Sequence, residues 1–338
     1  MADFTVSTDI DTFLQSADNA AARGSLGVID YPYTTDFQSG VEQTRNLTTI
    51  TSSDGYNYNS NLSSIYVGRN VTSIGSYAFY YCTGLTSITI SSGVTSLGSY
   101  CFGFCSGPTS ITIPDSVTSI GSSAFAYCSS LTSVTIPNSV TSLGSSSTFQ
   151  GCTSLTSATI GNSVTSIGTR AFFTCTSLTS ATIGNSVTSI GLFAFGLTGL
   201  TSISIPNSVT SIGSFAFYQC GLTSVIIPDS VTSLGSAAFG YCGSLTSITI
   251  GNSVPSLGDR FCSSTALTSV TIPNSVTSIG SMVFFMCTSL ATINCLATTA
   301  PTLGSNAFFN VAATDIHVPV GATGYGTTYG GLTVVADL

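Results

Sequence analysis

The stretch Ser116-Val117-Thr118-Ser119-Ile120-Gly121-Ser122-Ser123-Ala124-Phe125-Ala126-Tyr127-Cys128-Ser129-Ser130-Leu131-Thr132-Ser133-Val134-Thr135-Ile136-Pro137-Asn138 recurs with small changes down nearly the whole chain. Taking the last apolar residue of each phrase like Leu131 to Ile136 as a landmark marks Val67, Ile90, Ile113, Ile136, Ile160, Ile183, Ile205, Ile227, Ile250, Ile272, Cys295 and Val318, at steps of 22 to 24 residues. So constant a step makes each phrase one turn of a stack whose apolar face is buried only by the turns above and below it. The chain therefore reads as a mainly β solenoid of about eleven coils, with function left to a surface, an end or an assembly contact.

Within one coil the spacing assigns the faces. Val134 and Ile136 alternate inward while Ser133 and Thr135 point out, as a half-buried strand requires, and equivalent strands stack into a parallel sheet. Pro137, like Pro114, Pro206, Pro228 and Pro273, removes a ladder donor and ends the strand, and Asn138-Ser139 supplies turn chemistry. Val140 and Leu143 then go inward, and Gly144 marks a position needing an unusual dihedral or a close approach. The spacing of Ala124, Phe125 and Cys128 predicts a single helical turn that carries Phe and Cys to the core.

Composition excludes most chemistry. The chain has no Lys or Trp, one His and five Arg, and charged residues make up 5% of it, so Ser and Thr solvate the surface. The net charge of −8 is concentrated in residues 1 to 54, and no basic patch exists to favour nucleic acid or anionic membranes. A Ser/His/Asp set could use only His317, which reads more simply as a half-exposed strand residue. The phosphate-loop motif needs a Lys that is absent, and Gly324 with Gly326 lacks the third glycine of a dinucleotide site. The triplets at Asn46, Asn61 and Asn70 fit the N-glycosylation pattern, but so Ser- and Thr-rich a chain generates them by chance. No catalytic, cofactor or metal residues are assigned, and no stretch is long and apolar enough to span a bilayer.

Eight of the eleven cysteines, Cys82, Cys105, Cys128, Cys152, Cys175, Cys220, Cys242 and Cys287, follow the repeat Phe by three residues and form a ladder up one corner. Ladder neighbours point the same way about 4.8 Å apart, beyond the ~3.8 Å Cβ separation of a bridge, so small buried thiols are expected in preference to disulfides. A line of ligands is also not a tetrahedron, which argues against zinc. Thr198 and Ser264 are read as replacing the ladder Cys in two coils, and Cys101, Cys262 and Cys295 have no assigned role.

These phrases resemble the BspA-like leucine-rich repeat family over roughly residues 62 to 320. The resemblance implies a right-handed solenoid used in adhesion or binding, without catalytic residues. It divides the chain into an N-terminal attachment or capping segment (1–46), the repeats (47–295), and a terminal coil with its cap (296–338) that includes Ile316-His317-Val318-Pro319-Val320-Gly321. The first segment breaks the pattern. Residues 9 to 28 read as a short helix with Ser16 or Asp18 as cap and a glycine stop, without the basic and apolar regions of a signal peptide. Residues 29 to 61 read as an irregular connector into a short first coil at Leu47. The phrase from Phe13 to Val28 resembles a segment of bacteriophage tail-fibre and other virion proteins, and a helical cap over the first coil fits it equally.

One extended feature could bind a ligand: the outward hydroxyl ladder Ser87/Thr89, Ser110/Thr112, Ser133/Thr135, Ser157/Thr159, Ser180/Thr182, Ser247/Thr249 and Ser269/Thr271, from which Ser202/Ser204 and Ser224/Ile226 depart. It also reads simply as uncharged β-compatible filler. Coils of altered length, near Ser145 to Ser147, Leu197 to Gly199 and Gln219 to Gly221, are further candidates, as is the terminal Tyr/Gly stretch. The expected function is a non-enzymatic structural or adhesion protein of a bacteriophage virion. It would assemble through its N-terminal segment with other virion or surface proteins, as a homo-oligomer, and meet a host surface protein or polysaccharide. A bacterial cell-surface adhesin is the alternative, disfavoured by the missing signal peptide, and ice or crystal-surface binding is a third reading.

Overall fold

A computed structural model describes residues 48–338 apart from Gly55, together with the backbone of Val28–Ile29 and Val41–Gln43. The chain winds into a parallel-strand solenoid of about twelve turns. Turns such as Ser133–Ile136 and Ser157–Ile160 pair residue for residue, Ser133 on Ser157 and Ile136 on Ile160, with outward hydroxyls exposed and inward aliphatics buried. A second ladder of two-residue strands, Ser96–Leu97, Ser119–Ile120 and Ser142–Leu143 among them, runs up an adjacent side. The threonine before most short strands is wired along the stack: Thr95 donates both its N–H (2.8 Å) and its hydroxyl (3.0 Å) to the Thr72 carbonyl. The threonines of the long strands do likewise, Thr132 donating twice to the Thr109 carbonyl. The corner glycines let successive backbones touch. At Gly144, with φ +32°, a Cβ would lie 2.7 Å from the Ser122 nitrogen.

The Phe/Cys side departs from expectation. In place of a helical turn, each coil makes two successive tight turns, each with a residue of positive φ, as at Ser123 (56°) and Tyr127 (60°). The reason lies in hydrogen bonding. A helix directs its N–H groups along its own axis, whereas here Ser123, Phe125 and Tyr127 donate to the carbonyls of Ser146, Thr148 and Gln150 in the next coil. The intervening Ala126 and Cys128 donate back to Ser123 and Phe125. Left-handed backbone costs about 1–2 kcal/mol per residue, and lateral bonds of about 1 kcal/mol each, with the aromatic burial they allow, offset it. Among the described residues the helical content is one 3-10 turn, Ser52–Asp54.

Inside this side the repeat phenylalanines stack from Phe79 to Phe239 at 5.2 to 5.6 Å, nearly parallel. Tyr56 lies against the first ring and Tyr329 against Phe308 near the last. One coil breaks the stack. Phe261 occupies the alanine position and meets Phe239 edge-on at 90°, leaving Cys262 in the Phe position, where it donates its N–H to Val283 as Phe284 does to Ala307. The ladder cysteine of that coil is consequently replaced by Thr265 and not by Ser264. Thr265 donates to the Cys262 carbonyl (2.9 Å) and meets the Cys287 Sγ (3.2 Å), while Ser264 is a turn residue with φ 54°. Thr198 does replace a ladder Cys, bonding Phe195 and Cys220 in the same way.

Parallel pairing reaches into the stretch before the repeats, Val28 on Val41 and Val41 on Ser64. The expected helix at residues 9 to 28, its cap and the phage-like phrase otherwise lie outside the described residues. At the other end Asp315–Val318 pairs in parallel with Leu332–Ala336, which folds back on Thr328–Tyr329 through Gly330 and Gly331, both at positive φ. The two-residue outermost strand pairs with Leu332 and Thr333 of that strand.

Candidate binding face

The strand that carries the outward hydroxyls is built by alternation, so its geometry follows from the sequence period. All fourteen predicted hydroxyl residues are exposed. They do not form one continuous ladder. Ser133, Ser157 and Ser180 align in register, with Thr135, Thr159 and Thr182 beside them. Ser87 and Thr89 pair with Ser64 and Tyr66, Ser247 and Thr249 with Ser224 and Ile226, and Ser269 and Thr271 with Thr292 and Asn294. Ser110 and Thr112 stand on a coil without assigned strand pairing, a correction to the expected ladder. There Pro108 takes the place of the repeat Leu and removes a backbone donor. The coil of Ser202 and Ser204 is likewise unpaired.

Those two coils each border a groove. The first, about 620 Å³, is lined by Thr112, Ser133, Thr135, Thr159 and Thr182, with Ile111 and the turn residues Asp115, Asn138 and Asn162. The second, about 640 Å³, is lined by Ser202, Ser204, Ser224 and Thr249, with Ile203, Ile226, Asp229 and Asn252. Where strand pairing lapses, the inward residue is incompletely covered: Ile111 and Ile203 are half-buried against the core. Ile226 stands at an outward position that most other coils give to Thr and is 67% exposed. In the sequence Ser202/Ser204 and Ser224/Ile226 stand out only as departures from the hydroxyl pattern, and those departures are the signal for the second groove. The turn row is tied together by its own side chains, the Asn138 carbonyl oxygen accepting the Asn162 N–H at 2.7 Å and an Asp229 oxygen that of Asn252 at 2.7 Å.

The cysteines take structural places. Each ladder thiol donates to the carbonyl of the Phe-position residue one coil back, Cys105 to Phe79 at 3.1 Å and Cys175 to Phe149 at 3.1 Å. Cys101 fills an alanine position and Cys295 the end of a strand, where the Tyr325 hydroxyl reaches its sulfur at 3.2 Å. Burial pushes the Cys128, Cys262 and Cys242 thiols well up and that of Cys220 to about 11, so thiolate chemistry near neutrality is suppressed. His317 sits on the Asp315–Val318 strand with Nδ1 2.9 Å from Asp337 and Nε2 3.4 Å from Asp315. The hydrogen bond to Asp337 raises its pKa above the ordinary histidine value, partly opposed by burial. Among the described residues no group of three His, Cys, Asp or Glu side chains could hold a metal ion, and no helix is long and apolar enough to cross a membrane.

A family model for the BspA type leucine rich repeat region matches six times, over residues 48–178, 145–259 and 210–328. Among solved structures, a leucine-rich repeat protein from Bacteroides ovatus is 26% identical with a TM-score of 0.54, over 82% of this chain and 85% of that one. A leucine rich cell surface protein from Faecalibacterium prausnitzii is 27% identical with a TM-score of 0.40, over 86% of each chain. A leucine-rich repeat protein from Eubacterium ventriosum is 22% identical with a TM-score of 0.45, over 76% of this chain and 85% of that one. No curated protein matches the chain.

Proposed function

The chain belongs to the BspA-type leucine-rich repeat family, and from that premise we propose that it is a non-enzymatic surface adhesion protein that holds a partner protein along its outward sheet face. The observation that carries this reading is Ile226, an exposed aliphatic set among hydroxyls in the second groove. Most coils carry Thr at the same position, and others carry Ser204, Asn294 or His317, so the fold does not demand an apolar residue there. An apolar centre with a polar rim is the anatomy of a protein interface. Phe13 to Gly27, the part of the phage-like phrase outside the described residues, lies before the first family match at residue 48. The repeats that match the family favour adhesion at a cell surface.

The test uses beads coated with the full chain and presented to target cell surfaces. Protease treatment of the target should abolish adhesion. Ile226→Thr, the residue that the next coil carries as Thr249, should weaken it without lowering the melting temperature. Adhesion that survives proteolysis of the target, or is unchanged in Ile226→Thr, would overturn the reading.

A further inference from the structure

Positive-φ positions recur twice per coil on the Phe/Cys side, and a repeat protein supplies its own control for them. At the first such position other coils carry Ser123, Ser147, Ala237 or Asn306 beside the larger Arg170, Phe193, Phe215, Arg260 and Met282, and at the second Thr174, Gln219, Ser264 or Asn310 beside Leu197, Tyr241 and Met286. Small residues therefore satisfy the backbone. In the first two full coils both positions are aromatic, and in the third the second one is, as Tyr127. Tyr77 and Tyr100 stack at 5.0 Å and 8° in one row. In the other, Tyr58, Tyr81, Phe104 and Tyr127 follow one another at 5.7, 5.5 and 4.5 Å. Tyr80 stands between the rows, near perpendicular to Tyr77 and Tyr100. The aromatic run stops at the next coil, which has Ser147, Gln150 and Gly151 in these places.

Tyr77, Tyr81 and Tyr127 remain 39 to 45% exposed and Tyr58 66%. Large rings held in strained backbone at the surface are not explained by folding. The turns from 76 to 82, 99 to 105, 122 to 128 and 145 to 152 contain no charged residue. A charged ligand would find no counter-charge in them, and a wholly apolar one would leave phenols without partners. A phenol both donates and accepts, as a sugar hydroxyl does. The Tyr127 oxygen already accepts from the Gln150 amide at 2.8 Å, so its proton is left to donate outward.

We propose that this aromatic edge, formed by the coils from Tyr77 to Tyr127, is a second binding surface, for neutral hydroxyl-rich glycan chains. Sugar C–H faces pack on the rings, and sugar hydroxyls exchange hydrogen bonds with the phenols. The surface is distinct from the sheet face and does not depend on it.

The test is affinity electrophoresis of the full chain through gels containing mannan or laminarin, with tyrosine emission as a second readout because the chain has no Trp. The triple variant Tyr77→Ser, Tyr81→Gln and Tyr127→Thr uses residues that the repeat itself places there and should fold normally by circular dichroism. It should weaken retention by about tenfold or more, as loss of aromatic anchors does. Tyr241→Thr, at the same place in a remote coil, should leave retention unchanged, and so should Ile226→Thr, so that failure of one surface is separable from failure of the other. The proposal is overturned if neither polysaccharide retards the wild-type chain, if the folded triple variant is retained equally, or if Tyr241→Thr weakens retention as much. Binding of a decaproline peptide with no response to either polysaccharide would assign the edge to peptides and would also sink it.

Discussion

Phe172→Ala removes the central ring of the internal stack, and its cost can be worked from the neighbours. Phe172 is fully buried and lies 5.4 Å from Phe149 and 5.3 Å from Phe195, within 7° of parallel to each. Burying a phenylalanine contributes roughly 1.5–3 kcal/mol. Truncation adds the unfilled cavity, for a typical total of about 3–5 kcal/mol. Relaxation is restricted here because the rings above and below are held by their own coils, whose N–H groups are committed to the next turn: Phe149 donates to Ala171, and Phe195 to Ala216. The upper half of the range is therefore expected. A linear array transmits the damage only to adjacent coils, so the transition should also broaden or split as the two halves uncouple. Urea titration followed by far-ultraviolet circular dichroism measures both effects, with Phe173→Ala, the half-buried ring beside it, as a control expected to cost far less. A loss below about 1 kcal/mol for Phe172→Ala would refute the packing argument.

Three further outcomes are expected. A thiol reagent at neutral pH should label few of the eleven buried cysteines in the native protein and all of them after unfolding without reductant, and a deficit of ten thiols, five disulfides, would contradict the ladder geometry. Thr148→Ala should stabilise by about 1 kcal/mol, because the Thr148 hydroxyl is fully buried with no partner and Ala124 and Ala171 occupy the same place in adjoining coils; a lower urea midpoint would refute this. The raised His317 pKa has a definite sign. Its stabilising contribution is fully present below the unfolded histidine value of about 6.5 and is lost as pH rises through the higher folded value. The difference in melting temperature between wild type and His317→Gln should therefore be largest near pH 5.5 and vanish in alkali. A pH-independent difference would remove Asp337 as the cause.

The period, the strand and the buried positions were legible in the sequence, because a solenoid repeats one local problem and the answer at Leu131 to Ile136 holds at every equivalent phrase. Alternation in Ser133-Val134-Thr135-Ile136 determines which side chains face solvent, since a strand has only two faces. The Cys register likewise followed from its constant distance to Phe. What only the tertiary structure decided depends on bonds between coils. The spacing of Ala124, Phe125 and Cys128 is compatible with a helical turn, and the paired left-handed turns arise because Ser123, Phe125 and Tyr127 must donate to the next coil. The substitution of Thr265 for a ladder Cys was hidden by the displacement of Phe261, which shifts the apparent register by one residue. The grooves were hidden too, for they open where neighbouring strands cease to pair, at Ser110 and Ser202, and pairing is a property of two coils at once. The aromatic edge became a surface only when positions 23 residues apart were brought within ring contact. Local pattern encodes each turn, and stacking encodes what the turns present together.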